Sequence, residues 1–283
     1  MNFLRSSTVF FHGLRTSLFT TRTTTNFAKA TLFTGLVGLS YQRMQTFNRM
    51  SYCQAGLSDF NDYSGRLTTL NGNPAVKVLL SQLRDKKTDT ATFRHYSDRL
   101  MRLLVEEALA QEAQVERRMS PTGESYEHST VPADTNDFAA VTIMRGGDSM
   151  LTEVFNLLPG CPIGKVLIQR DEESADKRPV FYYSKLPENI AAKKRVFVLD
   201  PMCATGGTAA MCIQKLVDAG VPEERITFIN LITVEQGVAK VMGAHPKVRM
   251  LTACVDPVLN GSGYICPGLG DFGDRYFGSK LPQ

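Results

Sequence analysis

The chain is poor in the residue groupings that build metal and nucleophile sites. Its six cysteines (Cys53, Cys161, Cys203, Cys212, Cys254 and Cys266) form no C-x-x-C pair and do not cluster with the four histidines. That spacing argues against zinc and fits free thiols in a reducing compartment. No apolar run reaches the roughly 20 residues of a membrane-spanning helix; "ATLFTGLVGLSY" stops well short. No G-x-x-x-x-G-K occurs, which excludes a nucleoside-triphosphate P-loop, and the glycine loop that follows Val196–Leu199 is not a G-x-G-x-x-G dinucleotide fingerprint. Residues 1–58 contain no Asp or Glu but carry Arg5, Arg15, Arg22, Lys29, Arg43 and Arg49. The formal charge of +4 therefore leaves about −2 on residues 59–283 once the +6 of the first 58 is removed, and the body has no polybasic footprint for nucleic acid.

What is present is a chain of 283 residues with the apolar and charged fractions of an ordinary globular domain. Its basic, Ser/Thr-rich start, residues 1–58, reads as an extension: a mitochondrial import signal, a disordered tail, or sequence upstream of a true start at Met44 or Met50. The protein is expected inside the cell, in the cytoplasm or in mitochondria, without stable membrane insertion. Folded sequence is expected over residues 59–283. The segment 95–113 places Tyr96, Leu100, Leu103, Leu104 and Ala108 on one helical stripe. A polar connection with Pro121, Gly123 and Pro132 leads to a strand from Ala139 to Met144, a helix over Ser149–Leu158 and the strand "KVLIQR". "PVFYYSKLP" reads as an extended hairpin arm. From residue 195, strands and helices alternate, with Ile213, Leu216 and Val217 facing inward and Gly220 ending its helix. This pattern predicts an α/β fold: a mostly parallel sheet flanked by helices, with ligands beyond the carboxyl ends of the strands.

Arg145-Gly146-Gly147, Gln169-Arg170 and Asp200–Thr208 all fall at that edge. Val196–Leu199 is a continuous apolar run, as in a strand covered on both faces, and it empties into Asp200 and then Thr205-Gly206-Gly207-Thr208. Glycines between a strand and a helix let backbone N–H groups point at a phosphate, and the helix N-terminus adds favourable partial charge. A phosphate site without a Walker lysine suggests a sugar phosphate. An ordinary strand-to-helix turn is the alternative these residues alone leave open.

"LDPMCATGGTA" resembles the phosphoribosyl pyrophosphate loop of uracil phosphoribosyltransferases. "YSDRLMRLLVEEAL", "IMRGG", "LIQRDEES" and above all "GYICPGLGDFGDRYFG" at residues 263–278 extend the resemblance. It implies a type I phosphoribosyltransferase fold with a C-terminal uracil-binding loop, converting uracil and 5-phosphoribosyl 1-pyrophosphate to UMP and pyrophosphate in pyrimidine salvage. It further implies that Asp200, Pro201, Met202, Cys203, Ala204, Thr205, Gly206, Gly207 and Thr208 hold the donor, and that Arg145 and Arg170 contact its pyrophosphate. Where many phosphoribosyltransferases have a second acid, this chain has Pro201. Guanidinium forks suit pyrophosphate because they bind its oxygens bidentately and stay charged.

Ile265, Gly270, Asp271 and Phe272 correspond to the uracil-binding residues, acting largely through backbone groups, and Asp271 also approaches the donor or its magnesium. Arg145, Arg170, Asp200 and Asp271 are thus the expected catalytic set. The family reading brings Mg²⁺ with the donor and no direct protein ligation of the metal, GTP as an allosteric activator in some relatives, and a homo-oligomer, dimer or tetramer. Two departures stand out. Relatives of bacterial type carry Ala at the position of Phe272, and their "RAG" is Arg145-Gly146-Gly147 here. Phe272 either narrows the pocket or packs behind it. Tyr264 either flanks the base or belongs to the core. Cys203 is a small filler or a reactive thiol. A catalytically silent regulator, an RNA-binding pyrimidine regulator, and a phosphoribosyltransferase for another base are the competing functions.

Overall fold

The computed structural model describes Tyr63 and residues 65–132, 134–171 and 178–279; the N-terminal extension over residues 1–58 lies outside them. Among the described residues, twelve strands and six α-helices follow in chain order. They are β1 (Leu67–Thr69), α1 (Pro74–Arg84), α2 (Thr90–Ala110), β2 (Gln114–Met119), β3 (Ser125–Thr130), β4 (Phe138–Met144), α3 (Leu151–Leu157), β5 (Ile163–Arg170) and β6 (Pro179–Lys185). After them come β7 (Arg195–Leu199), β8 (Met202–Cys203), α4 (Gly207–Asp218), β9 (Ile226–Val234), α5 (Glu235–Ala244), β10 (Arg249–Asp256), β11 (Val258–Leu259), β12 (Ile265–Cys266) and α6 (Phe272–Phe277).

The main sheet runs β1-β10-β9-β7-β4-β5-β6, with β8 added on β9. Every pairing in it is parallel except β5 with β6. β7 and β9 are buried along their whole length, the unbroken apolar pattern of strands covered on both faces. Alternate side chains feed two cores. Phe138, Ala140, Phe197 and Leu251 pack with α1, α2 and α3, whereas Val141, Ile143, Val198 and Phe228 pack with α4 and α5. The two long helices on the first face begin with side-chain caps: Asn73 accepts from the N–H of Ala75, and Asp89 from that of Thr92 at 2.8 Å.

Three elements differ from expectation. "PVFYYSKLP" is, as expected, the arm of an antiparallel hairpin, formed with β5 at the edge of the main sheet, but a second, free-standing hairpin, β2–β3, stands inside what reads as a polar connection. That hairpin has no apolar face: β2 is exposed at all six positions, and Arg117 stands opposite Glu127. The helix expected over Ser149–Leu158 begins as a 3₁₀ turn (Gly146–Met150), pinned where Thr142 Oγ1 donates to Asp148 at 2.7 Å. The glycine-rich C-terminal motif contains the short helix α6, which docks on α2 through the rings of Phe272 and Phe93, 5.5 Å apart.

Candidate active site

Adjacent parallel strands deliver the charged residues to one edge. β5, β4 and β7 are neighbours in the sheet; Arg170 ends β5, Arg145 follows β4 and Asp200 follows β7. The loop after β7 is then tied down residue by residue. Asp200 N–H donates to Ile229 O at 3.3 Å, and Pro201 O accepts from Leu231 and Ile232 at 3.0 and 3.2 Å. Thr233 Oγ1 donates to Cys203 O at 2.9 Å. Gly206 makes the turn into α4 with φ +76, and a Cβ there would lie 2.7 Å from Gly237 O and 2.9 Å from Lys240 Cβ. Only glycine meets both demands. α4 starts at Gly207 without a side-chain cap, so its first-turn N–H groups remain available to an anion.

The cleft has two lobes. One, about 330 Å³, lies over the loop and is walled by Cys203, Ala204, Gly206 and Thr208. The other, about 390 Å³, lies between Arg145 and the C-terminal segment, with Tyr264, Gly270 and Phe272 in its wall. Arg170, Asp200, Met202 and Asp271 line both. The Asp200 side chain is half-buried in the wall of the cleft, and burial pushes its carboxyl up to about 7; the Met202 N–H, 3.4 Å away, and the nearby charge of Arg170 oppose that rise only in part. Burial likewise pushes the Cys203 thiol up to about 12, so it stays protonated and acts as a small filler.

The two arginines are held differently. The Arg170 side chain makes no hydrogen bond or ion pair among the described residues. Arg145 donates to Asp274 at 2.7 Å and to Ser279 at 2.8 Å, and its guanidinium lies 5.7 Å from the centre of the Phe277 ring. Asp274 therefore joins the site without having been singled out in the sequence, although it stands inside the quoted motif "GDFGDRYFG".

On the C-terminal side, Asp271 Oδ1 accepts from the N–H of Asp274 at 2.8 Å and so caps α6. Phe272 is 3% exposed, its ring stacked on Tyr276 at 5.5 Å and tilted against Phe93; it closes the back of the lobe from within the core. Tyr264 is 57% exposed at the lobe's mouth, a flanking and not a core position. The Ile265 side chain is buried in the first core, which leaves its backbone as the part able to face a ligand. Of the residues expected in the site, Arg145, Arg170, Asp200–Ala204, Gly206, Thr208, Gly270, Asp271 and Phe272 line the lobes, whereas Thr205, Gly207 and Ile265 do not. A Cβ on Gly207 would meet Pro179 of β6 at 3.5 Å, an ordinary contact. Gly146 lines both lobes, and a Cβ there would press on Pro201 at 3.2 Å.

The family model described as uracil phosphoribosyltransferase matches residues 70–279. Uracil phosphoribosyltransferase 1 of Schizosaccharomyces pombe is 41% identical over 216 residues, 76% of this chain and 96% of the relative. The uracil phosphoribosyltransferase of Saccharomyces cerevisiae is 43% identical over 201 residues, 70% of this chain and 90% of the relative. Among solved structures, the AQ2163 protein from Aquifex aeolicus superposes with a TM-score of 0.64 at 28% identity, covering 76% of this chain and all of that one.

Proposed function

The chain belongs to the uracil phosphoribosyltransferase family, and we propose that its two-lobed cleft divides the substrates, donor over the Asp200–Thr208 loop and uracil against the C-terminal segment. The reaction is the transfer of the phosphoribosyl group to uracil, giving UMP and pyrophosphate. The bond from ribose C1 to the pyrophosphate oxygen breaks, the bond from C1 to uracil N1 forms, and the N1 proton is released. The observation that carries the division is the shared wall: Arg170, Asp200 and Asp271 face both lobes, where the transferred carbon has to pass.

Each group has a physical task. The loop amides and the α4 N-terminus bind the 5-phosphate. Arg145 and Arg170 stabilise negative charge building on the departing pyrophosphate, Arg145 exchanging Asp274 for the substrate's oxygens. Backbone groups of the C-terminal loop read the base. Positioning and electrostatic stabilisation then supply the catalysis, without a nucleophile or histidine base.

Magnesium bound with the donor would neutralise its pyrophosphate charge. Asp200 and Asp271 fit a hard, oxygen-seeking cation that keeps its waters, and the described residues contain no group of three or more His, Cys, Asp or Glu to cage one directly. Self-association is supported by three consecutive exposed aromatics on the edge strand β6, Phe181, Tyr182 and Tyr183. Activation by GTP rests on the family resemblance alone. An intracellular location rests on that resemblance too, with mitochondrial import supported by the basic, acid-free composition of residues 1–58.

The division is tested by a pair of variants. The Arg170 side chain makes no hydrogen bond or ion pair among the described residues, so Arg170→Ala removes a binding group and little else; the donor KM should rise about tenfold with the uracil KM unchanged. Gly270→Val should do the reverse. Equal effects on both substrates, or effects exchanged between them, would overturn the assignment of the lobes.

A further inference from the structure

Below the uracil-side lobe lies a buried ion pair that the reaction itself does not use. Asp256, at the end of β10, has a fully buried side chain, and Arg84, the last residue of α1, is 16% exposed at its side chain. The two meet as a fork: Arg84 Nη1 and Nη2 donate to Asp256 Oδ2 and Oδ1 at 2.7 and 2.6 Å. The same two side chains also hold Gly268 of the C-terminal loop through both of its backbone polar groups. Gly268 N–H donates to Asp256 Oδ2 at 2.9 Å, and Gly268 O accepts from Arg84 Nη1 at 2.8 Å. The next carbonyl, Leu269 O, accepts from Arg275 at 2.6 Å, and Arg275 also reaches Leu83 O at 2.5 Å and Asp85 O at 2.7 Å.

Gly268 stands two residues before Gly270 with φ +58, and a Cβ there would come within 2.1 Å of Ile265 O, so the chain makes a turn that only glycine allows. Such a turn is shaped by whatever holds its peptide groups. Here both polar groups of Gly268 and the carbonyl of Leu269 are committed to charged side chains, and the direction of the following backbone is set before any base arrives. A buried pair is a poor device for stability alone, since desolvating two charges offsets most of their attraction. It is a good device for fixing orientation, because a guanidinium–carboxylate fork tolerates little rotation.

We infer that Arg84 and Asp256 are positioning residues for uracil recognition, setting the backbone of the Gly268–Asp271 segment that reads the base. This rests on the placement of uracil against that segment. Neither residue lines the cleft, so both act through the backbone of Gly268.

Arg84→Lys decides the matter. It keeps the positive charge that pairs Asp256 but loses the fork that also reaches Gly268 O. The uracil KM should rise about tenfold, while the donor Kd, measured by calorimetry, stays within about twofold. Asp256→Asn, whose amide has to turn a donor toward either Arg84 or Gly268 N–H, should give the same split more strongly. An Arg84→Lys enzyme with a lower melting temperature and an unchanged uracil KM would overturn the inference and leave the pair purely structural. So would equal losses for both substrates. Gly270→Val separates the two levels of the argument. If it too leaves the uracil KM unchanged, the base lies elsewhere; if it raises that KM and Arg84→Lys does not, only the positioning role fails.

Discussion

At the scale of single residues, Asp200 sets function against stability. Burial raises its carboxyl from an ordinary 3.8 to about 7 in the folded protein. Between pH about 4 and about 7 the unfolded chain has therefore lost a proton that the folded chain keeps, and folding stability falls as pH rises through that window, reaching its low plateau above pH about 7. Asp200→Asn should be more stable than the native enzyme at pH 8, by about 2 kcal/mol after discounting for the carboxyl's partial contact with solvent. The advantage should disappear at pH 4, and donor binding should be lost throughout. Melting curves over a pH series check this, and an Asn variant less stable than wild type at pH 8 would contradict it. Arg145, Arg170 and Asp200 were legible in the sequence because each breaks an apolar run with a charge at a strand end. Arg84 and Asp256 were not. Arg84 looks like a helix tail and Asp256 like the end of a strand, and their meaning lies in a contact 172 positions apart that no local pattern records. Asp274 was hidden in a motif whose quoted role fell on its neighbours.

At the scale of elements, α6 shows what packing adds. It has only six residues, too few for a helical periodicity, and sits among glycines, so the sequence reads as loop. What makes it a helix is Asp271 at its cap and Phe272 on its inner face, anchored between Phe93 of α2 and Tyr276. Phe272→Ala should cost about 3–5 kcal/mol of stability, with little gain in tolerance for substituents at uracil C5. Chemical denaturation paired with the rate ratio for uracil and 5-substituted uracils measures both. A stable variant that accepts bulkier bases would instead make the ring a pocket wall. The hairpin β2–β3 was illegible for the opposite reason: its strands bury nothing, so no alternation marks them, and a backbone ladder with a glycine turn holds it together. β4, β7, β9 and β10 were legible as buried strands because two covered faces demand continuous apolar runs.

At the scale of the whole molecule, the parallel sheet explains why distant motifs act together. Segments near residues 145, 170, 200 and 270 meet in one cleft because neighbouring parallel strands all end at one edge and the C-terminal segment folds back over it. Strand and helix alternation made that edge legible; the mutual arrangement of the lobes needed the fold. Pyrophosphate release from phosphoribosyl pyrophosphate, measured separately with uracil, cytosine, orotate, adenine and guanine, tests the whole account most directly. Release that requires uracil, with the other four bases at least 100-fold slower (~3 kcal/mol in the transition state), is the predicted result. Equal or faster release with any of the other four, or none with uracil, would contradict it.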